Sequence, residues 1–265
     1  MLDNHEIIHS KIFASAFNTI QGEGRCAGEY VTFLRFYTQS CFPDRPRCVF
    51  CDTVGKKYYK PTFSLAELMS SSSPVLLSQS KHIVLTGGEP FSFSFKILNA
   101  LIYHLWMEYG KSKIDVETNG SFLRHNILHT RSQNEYRHLI KFFDDANIIT
   151  ISPKLLNSFP NSSVETFPWI SYFDFTMLSD LYKRYKTKMD FKFVIDETKI
   201  SQDIAHIEHF VTLAEISNES IFLMPKTPYT QKGVKEIAEL CVQKRWCFSP
   251  RLHVDIWGSD IEIER

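Results

Sequence analysis

The sequence predicts an α/β protein: a single-domain partial (β/α) barrel with a mainly parallel sheet of about six to seven strands. Three observations carry that reading. Short apolar runs of strand composition alternate with helically periodic segments through most of the chain, the pattern of right-handed βαβ crossovers. The strands end in polar or glycine-bearing clusters, TGGEP, ETNG, SPK and LMPK, at the end where parallel α/β sheets collect their ligands. No linker or internal repeat interrupts the 265 residues, so 1–265 reads as one domain.

In chain order, residues 1–14 read as a lead-in and AFNTIQGEGRCAGE (16–29) as a glycine-rich loop before the first strand, YVTFLRF (30–36). That loop matches neither the P-loop nor the dinucleotide-binding fingerprint. A cysteine-bearing stretch follows, then a short helix within 63–73 with Ser64 as N-cap. KHIVLTGGEP (81–90) is a strand entering a glycine turn, and FKILNALIYHLWMEYG (95–110) a periodic helix stopped by Gly110. KIDVETNG (113–120) is a strand, 123–143 a helix broken near 130–134, and ANIITISPK (146–154) a strand. Residues 155–175 read as an irregular insertion or loop. KMDFKFVID (188–196) and SIFLMPKTP (220–228) are strands, 203–216 and 232–245 helices, and SPRLHVDIWG (249–258) a last strand. Lys192, inside a strand, reads as facing outward or paired with a carboxylate, and is assigned to no site.

Composition narrows the function classes. Thirty basic residues balance thirty acidic ones, which argues against a nucleic-acid partner. No apolar run reaches the ~18 residues of a membrane span. The start MLDNHEIIHSKIF lacks the basic and apolar regions of a signal peptide, so the expected location is cytoplasmic, with reduced cysteines.

Three of the six cysteines, Cys41, Cys48 and Cys51, are crowded into one short stretch. Three thiolates that close can hold one metal centre and leave a coordination position for something else. Two readings stay open on the residues alone: a zinc site completed by a distant Cys or His, or an iron–sulfur cluster with an open iron. No second Cys-x2-Cys pair is present to complete a zinc site of the usual kind. Cys26, Cys241 and Cys247 stand alone and receive no role; Cys241 falls on an apolar helical face and is expected in the core.

Cys-x2-Cys with an aromatic before its last cysteine, followed by a strand ending in Gly-Gly-Glu-Pro, resembles the radical S-adenosylmethionine superfamily. The resemblance implies a 4Fe–4S cluster on Cys41, Cys48 and Cys51, with S-adenosylmethionine on its open iron. Gly87, Gly88 and Glu89 would form the turn at the methionine amino group, with Glu89 able to accept from the ammonium. A narrower resemblance covers almost the whole chain. FNTIQGEG, YVTFLRF, CVFCDT, TGGEP, ETNG, SPK, KFVID, LMP and PRLHVDIWG are similar to the 7-carboxy-7-deazaguanine synthases.

That family converts 6-carboxy-5,6,7,8-tetrahydropterin to 7-carboxy-7-deazaguanine and ammonia on the way to queuosine and other deazapurines. The implied reaction is a carbon–nitrogen lyase step by hydrogen abstraction at C6 and ring contraction. Ile20, Gln21 and Gly22 would contact the pterin, Gln21 and Glu23 would read its edge, and Arg35 would clamp its carboxylate. Thr53 would ligate Mg²⁺, with Asp52 nearby and Phe50 beside the adenine. Thr86 and His253 would border the substrate; Glu117, Ser152, Pro153 and Lys154 would line the S-adenosylmethionine side. The implied partners are an electron donor such as flavodoxin or ferredoxin and a second copy of the chain in a homodimer. The cysteine spacing here, Cys-x6-Cys-x2-Cys, is longer than the family's commonest Cys-x3-Cys-x2-Cys, and Asp44, Arg45 and Arg47 in the expanded loop read as solvated charges. Two other classes remain: a glycyl-radical activating enzyme of the same superfamily, which would not require QGEG or a carboxylate clamp, and a non-catalytic metal-binding protein.

Overall fold

The computed structural model describes residues 8–39, 41–42, 48–51, 59–70, 77, 82–124, 128, 134–159 and 173–258. Asp52 and Thr53, the charges at 44, 45 and 47, the helix break at 130–133 and most of the 155–175 segment lie outside these. The strands are β1 (Lys11–Ile20), β2 (Tyr30–Phe36), β3 (Phe63–Ser64), β4 (His82–Gly87), β5 (Lys113–Thr118), β6 (Ile148–Ile151), β7 (Met189–Ile195), β8 (Ile221–Pro225) and β9 (Cys247–Phe248). The helices are α1 (Leu65–Met69), α2 (Phe95–Tyr109), α3 (Glu135–Asp145), α4 (Phe175–Tyr185), α5 (Ile200–Ala214), α6 (Gln231–Lys244) and α7 (Leu252–Trp257). The sheet order is β3-β1-β2-β4-β5-β6-β7-β8-β9. Neighbours from β2 to β9 pair in parallel, while β1 is antiparallel to β2 and β3. No helix among the described residues is long and apolar enough to cross a membrane.

Several sequence expectations change: β3 precedes α1 where only a helix is expected, and α4 occupies a stretch given no element. The sheet has nine strands rather than six or seven, chiefly because KIFASAFNTI, read as lead-in and loop, is the long strand β1. The last strand, placed at 249–258, is the short helix α7, preceded by the two-residue β9. None of α7 is buried, and its turn is closed by Val254 N and Asp255 N donating to Arg251 O, with Leu252 N donating to Gly22 O. Its strand-like composition is overridden by this local turn and by the one tertiary bond to Gly22.

Alternation along each strand separates two faces. Ile83 and Leu85, Ile114 and Val116, Ile149 and Ile151, Phe191 and Phe193 face the helices in one continuous core. That core is rich in phenylalanine: Phe91, Phe95, Phe142 and Phe143 are fully buried against each other. The opposite face carries Arg35, Thr86, Glu117, Thr150 and Lys192 and lines the lumen of an open barrel. Gly110 ends α2 with φ +77°, and a Cβ there would meet nothing within 4 Å, so only backbone conformation resists substitution. Gly110→Ala is therefore expected to cost about 1–2 kcal/mol, read as a shift in the urea midpoint at unchanged slope.

Candidate active site

The upper end of the lumen, at the carboxyl ends of the parallel strands, is organised by close backbone approach. Gly87 ends β4 with φ +103°, and a Cβ there would lie 2.6 Å from Phe36 N of β2. Its neighbour Gly88 donates to Phe36 O at 3.0 Å, and a Cβ on it would strike Tyr59 Oη and Thr38 Oγ1. Tyr59 Oη accepts from Thr38 N at 2.8 Å and donates to Phe36 O at 3.1 Å. Only glycines let the turn after β4 lie this close to the end of β2, where the cysteine stretch begins.

Glu89 is the hub of that end. It is 1% exposed and accepts from Phe91 N, Thr118 Oγ1 and Asn119 N at 2.9, 2.5 and 2.7 Å. Burial pushes its carboxyl up to about 7 against the pull of those donors. Asn119 Nδ2 in turn donates to Cys41 O at 2.6 Å, and the Cys41 thiol to Gly88 O at 3.3 Å. The TGGEP and ETNG turns and the first cysteine thus form one hydrogen-bonded unit. Glu89, expected to accept from an ammonium, has its described donors inside the protein.

Cys41 and Cys48 are buried with Phe42 and Phe159, and Cys51 and Phe50 pack against them. Burial, with Glu89 and Cys51 nearby, pushes the Cys41 thiol up to about 12; the hydrogen bond to Cys51, then burial, pushes Cys48 up as well. Phe50 lies under Lys226 Nζ, 5.7 Å from the ring centroid, and Lys226 pairs with Asp196 at 2.6 Å. Lys154 donates to Ser152 Oγ at 2.9 Å, near enough to Cys41 and Cys48 to favour their thiolates. The remaining cysteines are engaged elsewhere: Cys26 with Asp115, Cys241 with Cys247 O. The donor set is three thiols in an apolar patch, which suits a group taking three thiolates and keeping a position open.

The lower end differs from the sequence expectation of a single rim. β1 runs antiparallel to β2, so the QGEG loop between them lies at the amino ends of the parallel strands and closes the lumen from below. Arg25 anchors it to Thr187 O and Asp190 at 3.0 and 2.5 Å, and Gly24 N donates to Ser249 Oγ at 2.8 Å. From this loop Gln21 Nε2 donates to Glu117 Oε1 at 3.1 Å, and Thr86 Oγ1 to Glu117 Oε2 at 2.9 Å. Lys192 Nζ lies 2.5 Å from Glu23 Oε2 and 3.9 Å from Glu117 Oε1. Arg251 Nε and His253 Nε2 lie 3.4 and 3.7 Å from Glu23 Oε1, and the His253 ring fills the space where a Gly22 side chain would stand. Burial would raise the Glu23 carboxyl, but Lys192, Arg251 and His253 hold it down at about 2; burial would lower Lys192, but Glu23 and Glu117 hold it up. Higher on the wall, the Arg35 guanidinium lies over the Phe17 ring at 4.9 Å.

The structure brings Gln21, Gly22, Glu23, Thr86, Glu117 and His253 together, with Ile20 exposed at the end of β1. Glu117, expected on the S-adenosylmethionine side, contacts Gln21 and Thr86 instead. Ser152, Pro153 and Lys154 follow β6 at the upper end, where Ser152 N donates to Thr118 O at 2.7 Å. Lys192 has the carboxylate partner that its sequence allows, and with Arg251 is central to a site to which the sequence assigns neither. The signal was present in MDFKFVI, where Asp190 and Lys192 occupy alternate positions of a buried strand.

An open α/β barrel with a three-cysteine loop after its first parallel strand and a Gly-Gly-Glu-Pro turn after the next has the layout of a radical S-adenosylmethionine enzyme. No family model matches the chain. The chain is 29% identical to the 7-carboxy-7-deazaguanine synthase of Halobacterium salinarum, with 92% of this chain and 89% of the relative covered. It is 25% identical to that of Pyrobaculum aerophilum (92% and 93% covered) and 29% identical to that of Hyperthermus butylicus (90% and 89% covered). The crystal structure of QueE from Escherichia coli matches with a TM-score of 0.55 at 18% identity, over 94% of this chain and 97% of that one, a likeness of fold. By sequence the chain is a homologue of the 7-carboxy-7-deazaguanine synthases.

Proposed function

We propose that this protein is a 7-carboxy-7-deazaguanine synthase, converting 6-carboxy-5,6,7,8-tetrahydropterin to 7-carboxy-7-deazaguanine and ammonia for deazapurine synthesis. The observation that carries this reading is the meeting of Gln21 and Glu23 with Glu117 and Lys192 in a lumen capped by three cysteines. Cys41, Cys48 and Cys51 would hold a 4Fe–4S cluster. Phe50, Gly87, Gly88, Ser152, Pro153 and Lys154 would receive S-adenosylmethionine, and Thr53 a Mg²⁺ ion with Asp52 nearby. Bound there, cluster and cofactor supply the hydrogen-abstracting chemistry.

The chain's own residues bind and orient. Arg35 offers a planar fork to the substrate carboxylate, and Phe17 beneath it limits the plane the guanidinium adopts. Glu23 stays ionised because Lys192, Arg251 and His253 surround it, so it presents an acceptor to the amino and ring N–H groups of a pterin. Gln21, fixed on Glu117, supplies the complementary donor and acceptor. The QGEG loop with His253 over Gly22 excludes water from below. An electron donor such as flavodoxin or ferredoxin and a homodimeric state complete the proposal. Sedimentation tests the dimer, and replacing a chemical reductant with reduced flavodoxin tests the donor.

Anaerobic reconstitution with iron, sulfide, reductant, Mg²⁺, S-adenosylmethionine and the carboxypterin is expected to yield 7-carboxy-7-deazaguanine by mass, with no protein substrate present. Fully loaded protein that makes no product would sink the reading. Turnover without a partner protein excludes the activating-enzyme alternative.

A further inference from the structure

We propose a second metal site, for Zn²⁺, built from Cys26, Glu29 and His82 with Asp115 behind the imidazole, where it fastens the QGEG loop to the sheet. Cys26 Sγ, a Glu29 carboxylate oxygen and a His82 ring nitrogen all lie within 4.8 Å of one another. His82 Nδ1 is 3.0 Å from Glu29 Oε2, and Nε2 is 2.6 Å from Asp115 Oδ2. Cys26 Sγ lies 3.7 Å from the same Asp115 oxygen. The cluster stands at the lower end of the lumen, away from the cysteine stretch; Cys26 and Asp115 line the same cavity as Gln21, Glu23 and Glu117, and Glu29 O accepts from Gln21 N at 2.8 Å.

The chemistry selects the ion. One sulfur, one imidazole and one carboxylate are the mixed donors of zinc, and a thiolate disfavours Mg²⁺ and Ca²⁺. Zinc bound at Nδ1 leaves Nε2–H donating to Asp115, the carboxylate–histidine–metal arrangement that fixes tautomer and ring orientation. His82 and Asp115 are buried at the starts of β4 and β5, so half of the site is rigid. Cys26 and Glu29 come from the 21–29 loop, and the half-exposed Glu29 gives the ion an entry route and the fourth position a water. Lys113 Nζ approaches Glu29 at 3.7 Å, a cation that the ion would replace. A tetrahedral site needs its donors roughly 3–4 Å apart, so only small side-chain turns separate the present geometry from a closed one. Bound zinc would clamp the loop that carries Gln21 and Glu23 into the lumen.

The test reads metal, not turnover, and so is independent of the proposed reaction. Cluster-loaded protein is equilibrated with buffered Zn²⁺, desalted and analysed for zinc by plasma mass spectrometry. About one zinc per chain is expected in the wild type and in the Cys41→Ala/Cys48→Ala/Cys51→Ala variant, falling at least about tenfold in Cys26→Ala and in Glu29→Gln. Both substitutions sit in a partly exposed loop, and a circular dichroism melt checks that each chain is folded. Zinc should also raise the melting midpoint of the wild type and not that of Cys26→Ala. No zinc in the wild type, zinc unchanged in Cys26→Ala, or zinc lost with the three cluster cysteines would each overturn the proposal.

Discussion

Lys192→Met is expected to destabilise the fold by about 3 kcal/mol near neutral pH, because it takes from two largely buried carboxylates the cation between them. Lys192 is 5% exposed and stands between Glu23 and Glu117, at 2.5 and 3.9 Å. Methionine matches the stem in volume, so the loss is of charge rather than packing. The pH dependence separates this from a packing defect. Glu23 ordinarily titrates at 4.5 and is held at about 2, so its pairing stabilises the protein above pH 4.5 and that contribution is lost as pH falls from 4.5 towards 2. Without Lys192, Glu23 keeps Arg251 and His253 but loses its nearest cation, so its carboxyl moves up from about 2 and less of that stability remains. The deficit should therefore be largest near neutrality and shrink on acidification. Urea unfolding of both proteins at about pH 7 and about pH 3 reads it. A deficit below about 1 kcal/mol, or one that does not change with pH, would mean that the charges are not coupled as drawn.

The sequence showed the upper end of the site more clearly than the lower. Cys41, Gly87, Gly88 and Glu89 are local: each motif is contiguous, and its backbone demand, such as the positive φ of Gly87, acts within one turn. Hence β2, the strands from β4 to β8, the spans of α2, α5 and α6 and the Gly110 stop follow from periodicity and punctuation, whereas β3 and α4 do not. The lower end is assembled from residues far apart in the chain. Gln21 and Glu117, or Glu23 and Lys192, meet only because β1 is antiparallel and its loop turns under the sheet. KIFASAFNTI alternates weakly, so its pattern does not announce β1 or the direction from which QGEG enters the lumen. Lys192 takes the second of the two courses that its sequence allows: both faces of its strand are covered, so it pairs with a carboxylate, but which one is set by the distant loop. The β-branched residues of SPRLHVDIWG suit a strand, whereas its short helix is set by bonds to Gly22 and around Arg251.

Alanine at Cys41, Cys48 or Cys51 is expected to abolish iron loading and product formation while the fold survives, and alanine at Cys241 or Cys247 to leave iron content unchanged. The division follows from position. Cys41 and Cys48 share one apolar patch with Cys51 against it, whereas Cys241 donates to Cys247 O across the end of α6. The fold should tolerate Cys41→Ala, because what ties that residue into the Glu89 unit is its carbonyl, which accepts from Asn119; the thiol adds one bond to Gly88 O, about 1 kcal/mol. Iron and sulfide analysis with visible absorbance reads the loading, and circular dichroism the fold. Any of the three single variants retaining full iron and activity would refute the ligand assignment. The thiol chemistry adds a dependence of its own. Burial pushes Cys41 up to about 12 and Cys48 upward too, so near neutral pH both are protonated until a metal cation displaces the proton. Loading must therefore release protons, and the apparent affinity for iron should rise with pH between neutrality and the titration of these thiols. Neutral oxygen ligands would not produce that slope, so its presence would identify thiolates as the donors.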